Sequence, residues 1–230
     1  MPQTSNNMHP DFHTLLLRPD VEVRGQFIEH FEDEIATTAK HYSRAFRELL
    51  AFDKLMPESD RTGIVLQFLV HAMNASIIST QLFIDGLLVP SGNMMRHYGE
   101  ASAVAHLLSH PGLPDFDNYR KAPAKYSVDN AIERVNKRKT RKLLNISEDG
   151  WKRFMANTKS YNPLSHSSAL AAEYAIHLSE PNSFSFGSAF DPGKLDIYRF
   201  EMERRLTSAK ILIATIGGCA QNIDPELTKA

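Results

Sequence analysis

Apolar residues in this chain recur mostly at three- and four-residue steps, the spacing that lines one face of an α-helix. The first such run is 23–55, where Phe27, Phe31, Ile35, Ala39, Tyr42, Phe46, Leu49 and Leu50 share one predicted face. Glu29, Glu32, Asp33, Lys40, Arg44 and Arg47 take the other. Met56-Pro57-Glu58-Ser59-Asp60 interrupts the run, with Ser59 or Asp60 placed to cap the next helix. That second helix is predicted from Arg61 to Leu88, with the small residues Ala72, Ala75, Ser76 and Ser79 at its centre, where a neighbouring helix can approach closely. Pro90-Ser91-Gly92 predicts a break. A third helix then runs from Asn93 to Ser109 and stops at Pro111-Gly112.

Residues 111–130, with Pro111, Pro114 and Pro123 between aromatic residues, read as a packed irregular connection. A basic helix is expected from Asp129 to Leu144, and Ser147-Glu148-Asp149 caps another that carries Trp151, Phe154 and Met155. Asn162-Pro163 is expected to end that helix and start the next, which continues to Leu178. The segment 180–193 is rich in Pro, Ser, Gly and Phe, and Ser183-Phe184-Ser185-Phe186 is too short to found a sheet. The last helix is expected from Leu195 to Ile216, ended by Gly217-Gly218. Six or seven helices with short connections make an all-α, multi-helix bundle. Its parts are an N-terminal arm (1–20), a single bundle domain (21–220) and a C-terminal tail (221–230).

Composition changes this picture little. With 230 residues, 42% of them hydrophobic and 23% charged, the chain can bury a sizeable core. The 26 Lys+Arg against 27 Asp+Glu leave a net charge of -1, which calls for neither nucleic acid nor an anionic membrane. The single cysteine, Cys219, has no intramolecular disulfide partner. The N-terminus has no basic segment followed by an apolar one, so a cytoplasmic location is expected. Gln67, His71, Asn74, Gln81 and Asp85 interrupt the most apolar stretch, Ile64 to Pro90, which reads as a buried core helix rather than a membrane span.

Candidate chemistry is sparse. The chain has no nucleophile elbow, phosphate-binding loop or dinucleotide-binding turn, so no cofactor is called for. Di-iron bundles need Glu-x-x-His pairs, and none occurs; His30/Glu34 and Glu173/His177 at i,i+4 read as surface pairs, and no metal is expected. Cys219, beside two glycines and lacking a basic neighbour, reads as a small buried hydrophobe. Arg134, Lys137, Arg138, Lys139, Arg141 and Lys142 form either a phosphate-binding surface or a solvated helix face. Arg96 and Glu100, at i,i+4 among apolar neighbours, form a partly buried pair that either fixes register or shapes a polar pocket. Asn162 reads as a helix cap, with His166 in the first turn, where the positive helix end favours the neutral imidazole that a general base requires.

The succession of a small-residue helix, Leu87-Leu88-x-x-Ser91-Gly92, a helix with Arg96-x-x-x-Glu100, a basic linker, and Tyr161 to His166 resembles bacterial helical proteins related to the HEPN superfamily (higher eukaryotes and prokaryotes nucleotide-binding domains). The resemblance covers 60–216 by pattern. It implies a homodimeric helical bundle and, in many members, a metal-independent ribonuclease of stress or phage-defence systems. The family signature is Arg, usually Asn, then three residues and His. Asn162 and His166 match it, whereas Tyr161 stands where the family has Arg. The resemblance therefore implies His166 as base, Asn162 as its orienting partner and Tyr161 at the phosphate, with Arg96, Glu100, Arg138 and Arg141 as binding residues. A tyrosine brings no cation, so a catalytic reading needs one from elsewhere in the fold, with Lys159, Arg96 or the basic helix as the candidates. The alternative is a non-enzymatic helical module that binds a protein partner or a small ligand.

Overall fold

The computed structural model describes residues 20–126, 130–159, 161, 164, 168–174, 176–180 and 187–228. Nine α-helices and no strand occur among them. They are α1 (Val21–Leu55), α2 (Asp60–Ile84), α3 (Leu88–Ser109), α4 (Asp115–Lys121), α5 (Ala131–Asn136), α6 (Arg138–Leu143), α7 (Glu148–Lys159), α8 (Ala169–Glu173) and α9 (Leu195–Ile223). The expected all-α bundle is what the chain forms. The long helices α1, α2, α3 and α9 pack on one another, with α4 and α5 against α3 and α7 against α3 and α9.

Local chemistry sets the helix ends. Asp20 caps α1 by accepting from the Val23 N–H at 3.0 Å, and Ser59 caps α2 through the Thr62 N–H at 3.1 Å. The α2–α3 break falls at Gly86, not at Pro90-Ser91-Gly92. Gly86 has φ +74°, and a Cβ there would lie 2.6 Å from Val23 Cγ1 and 2.7 Å from the Ala189 carbonyl. Pro90 sits in the first turn of α3, where its missing N–H would have no intrahelical acceptor in any case. Likewise Gly217-Gly218 does not stop the last helix, which runs on to Ile223. Gly218 serves packing instead, because a Cβ there would lie 3.0 Å from His106 Cε1.

α1 has one non-helical residue, Phe31, with φ -133° and ψ 21°. Before this kink it buries Val23, Phe27 and Phe31; beyond it, Thr38, Ala45, Leu49 and Phe52. Phe46 and Leu50, expected on the buried face, are both 53% exposed, because the buried stripe lies one residue back at Ala45 and Leu49. The kink also separates two cores. The smaller one packs Phe27 against Phe83, Phe190 and Tyr198 at centroid distances of 5.0, 5.1 and 4.9 Å. The larger joins α1, α2 and α3 to α5, α7 and the C-terminal half of α9.

The small-residue centre of α2 does receive a neighbour, α3, in the most extensive helix pair of the fold. Ala72, Ala75, Ser76 and Ser79 are fully buried against a helix that is itself rich in small residues. The approach is close enough for Ser79 and Ser91 each to donate its hydroxyl to the other's carbonyl at 2.8 Å. By length and composition α2 is the one described helix that could cross a membrane; 44% of its most apolar stretch is buried here.

The connection at 111–130 is more regular than expected, with α4 and a 3-10 turn at Pro123–Lys125. The basic helix is two short ones, broken at Lys137 (φ -66°, ψ 124°). Ser147 caps α7, accepting from the Gly150 N–H at 3.1 Å. The helix anticipated from Pro163 to Leu178 is not formed as such. α8 begins at Ala169, where Ser168 accepts from the Ala171 N–H at 3.2 Å, and ends at Glu173. Asn162 and His166, and the 183–186 segment, lie outside the described residues.

Candidate functional site

Among the polar and titratable clusters inside the bundle, two stand out as candidate sites. The first is a buried ionic centre on α9. Arg205 is the largest fully buried side chain among the described residues. Its Nη1 donates to the Glu201 carboxylate at 2.8 Å and to the Glu201 carbonyl at 2.7 Å. Its Nη2 donates to the Ser91 hydroxyl, and its guanidinium carbon lies 4.4 Å from the Phe83 ring centroid. Tyr161, fully buried, donates its hydroxyl to Glu201 Oε2 at 2.9 Å, and Arg204 stands 5.4 Å from the Tyr161 ring centroid and 3.6 Å from Glu201 Oε1. Burial raises the Tyr161 phenol, Arg205 opposing and Glu201 adding to the shift, so the hydroxyl keeps its proton and acts as a donor. Burial pushes the Arg205 guanidinium toward its neutral form, but Tyr161 and Glu201 more than offset this.

This centre brings two cations beside Tyr161, Arg204 and Arg205. Arg96 pairs with Glu100, Nε to Oε1 at 2.6 Å, as a partly buried i,i+4 bridge on α3. The sequence signal for the α9 cations is Glu201, Arg204 and Arg205, an i,i+3 and i,i+4 set between the apolar Phe200, Met202 and Leu206. A carboxylate with two arginines amid apolar neighbours on one turn of helix points to a buried network.

The second place is a cavity of about 220 Å³ between α3, α7 and α9. Trp151 and Phe154, their rings stacked at 5.2 Å, line it with Leu144, Val135 and Ile211. Trp151 is held by its indole N–H donating to Asn136 Oδ1 at 2.8 Å. Exposed Asn145, Ser147, Gly150 and Ala214 form the mouth, and buried Ala103 and Thr215 lie inside with His106. His106 is only part-buried in surface terms, yet burial alone drives its pKa down to about 4; the surface it keeps belongs to the cavity wall. Its Nδ1 lies 3.8 Å from Cys219 Sγ. Cys219 is the buried hydrophobe its surroundings suggested, with burial pushing the thiol up to about 12.

The turn that forms the cavity's outer wall has a specific cause. α6 ends with Asn145 in the left-handed region (φ 52°), the Asn145 N–H bonding the Lys142 carbonyl and the Ile146 N–H the Arg141 carbonyl at 3.0 Å. That pair of bonds folds the chain back and sets Ile146 into the wall. Of the basic residues, Arg134 is tied to Asp115 at 3.0 Å, and Arg141, buried, to Glu148 at 3.1 Å. Lys137, Arg138, Lys139 and Lys142 remain exposed.

The chain matches no protein-family model, and neither curated proteins nor solved structures give a match to it.

Proposed function

We propose that this chain is a helical module that binds a small ligand in the cavity beneath Trp151. The supporting observation is the cavity itself: a preformed, mouthed space with aromatic walls and a neutral imidazole at its floor. About 150 Å³ of apolar space accommodates a benzene ring, so this one suits a ring with a short side chain. Trp151 is the only tryptophan in the chain, which makes its fluorescence a direct reporter. Phenylpropanol should quench or shift that emission saturably. In Ala103→Leu, which fills the interior, the response should be lost while the far-UV circular dichroism stays the same. A flat titration of the wild-type chain would refute the reading.

A second reading is favoured by the four exposed cations at 137–142. This is the HEPN-like one, an RNA-binding or metal-independent RNA-cleaving homodimer with His166, Asn162 and Tyr161 as its site. The chain is incubated with labelled single-stranded RNA in EDTA beside His166→Ala. Cleavage that persists with EDTA and disappears in the variant supports it; the absence of both cleavage and salt-sensitive RNA binding refutes it.

A further inference from the structure

We propose that the cavity's ligand is a carboxylate, its apolar body beside Trp151 and its anionic group outside, between Arg138 and Lys142. The inference rests on the cavity being a ligand site. A second, more open cleft of about 480 Å³ adjoins the cavity and is lined by Arg138, Arg141, Lys142, Ile146 and Glu148. Ile146 lines both spaces, so they share a wall at the end of α6. Trp151 and Arg141 join them a second time, the guanidinium lying 5.8 Å from the indole centroid.

The charges of the cleft select the head group. Three cations face one carboxylate there. Arg141 is committed to the fold: it is buried, bridges to Glu148 at 3.1 Å, and donates to the Asn136 carbonyl. Glu148 is thereby engaged as well. Arg138 and Lys142 are exposed, and among the described residues no carboxylate pairs with either. They stand at i,i+4 on α6, where like charges repel. An anion placed between them relieves that repulsion, whereas a cationic ligand increases it. Inside the cavity nothing offers a charge to a carboxylate, since His106 is neutral there and the rest of the lining is apolar or uncharged, Asn145, Ser147 and Thr215 being its polar members. An ionised head inside would therefore lose its hydration uncompensated, and outside it would not. The ligand is thus amphipathic in one direction, with the ring inward and the anion outward.

The test compares two probes with the same ring and chain, phenylpropanoate and phenylpropanol, titrated into the intact chain while Trp151 emission is read. The carboxylate should bind about ten-fold more tightly at low ionic strength. That advantage should shrink with added salt. In the double variant Arg138→Gln/Lys142→Gln it should vanish, the alcohol binding as before. Equal affinities in the wild-type chain overturn the carboxylate assignment and leave the cavity reading standing. An advantage that survives in the double variant overturns the placement of the head group. If neither probe binds, both the assignment and the cavity reading fall.

Discussion

Glu201→Gln separates charge from shape at the centre of α9. The amide keeps the size of the carboxylate and an oxygen that can still accept from the Tyr161 hydroxyl and Arg205 Nη1, but it carries no negative charge. Arg205 would then be a fully buried cation facing the Glu201 carbonyl, the Ser91 hydroxyl and the Phe83 ring, and only dipoles would remain to offset it. Removing one partner of a buried ion pair generally costs about 3–5 kcal/mol, because the other is left uncompensated. Glu201 retains Arg204 nearby at 3.6 Å in the reciprocal variant, Arg205→Met, so that change should be the milder of the two. We expect a loss of about 3 kcal/mol for Glu201→Gln in urea unfolding followed by far-UV circular dichroism, with the denaturant slope unchanged. The double variant Glu201→Gln/Arg205→Met should lose less than the sum of the two singles, since neither charge is then stranded. Losses under about 1 kcal/mol for Glu201→Gln, or strict additivity in the double variant, would refute the account of Arg205 as a charge held by Glu201.

The other predictions concern His106, Asp191 and two glycines. Because His106 has a folded pKa of about 4 against an ordinary 6.5, the unfolded chain takes up its proton first as the pH falls. Stability should therefore be complete above about pH 6.5 and decline toward pH 4 by at most about 3 kcal/mol, a decline that His106→Gln should reduce when unfolding is measured across that range. Asp191 acts in a lower window: burial raises its carboxyl, but bonds from Ser179 and the Leu178 and Gly193 N–H groups outweigh this and hold it near 2, so its contribution fades only below about pH 4. An added Cβ at Gly99 would lie 2.3 Å from Thr158 Cγ2, so Gly99→Ala should lower the unfolding free energy by about 1–2 kcal/mol despite the better helix propensity of alanine. Gly25 has nothing within 4 Å of such an atom, and Gly25→Ala should raise thermal stability by about 0.5–1 kcal/mol.

The helices are legible in the sequence wherever a single local rule decides the outcome. Ser59 and Ser147 cap as their positions suggest, the small residues of α2 receive α3, and Cys219 is buried as a small hydrophobe. What misleads is the same residue type serving two purposes. Pro90 and Gly217-Gly218 look like breaks, but proline is harmless in a first turn, and glycine inside a helix can make room for a neighbour such as His106. Charge poses the harder problem. The basic run reads as one surface, yet the partners that withdraw Arg134 and Arg141 from it, Asp115 and Glu148, come from other elements. Tyr161 stands out in the sequence for a cation it lacks, while Arg205 meets Ser91 and Phe83 only through packing across more than a hundred residues of chain. Periodicity reports which face is buried; it is silent on which charges meet there.

The ionic centre also constrains how this sequence can drift. One guanidinium touches α2 through Phe83, α3 through Ser91 and its own helix through Glu201, while Tyr161 reaches the same carboxylate from a separate segment. A chain with an apolar centre here is a workable fold in its own right, but the single-substitution routes to it pass through a stranded charge or an unpaired phenol. Divergent relatives should therefore either keep these residues as a set or have replaced them together, with few intermediates between.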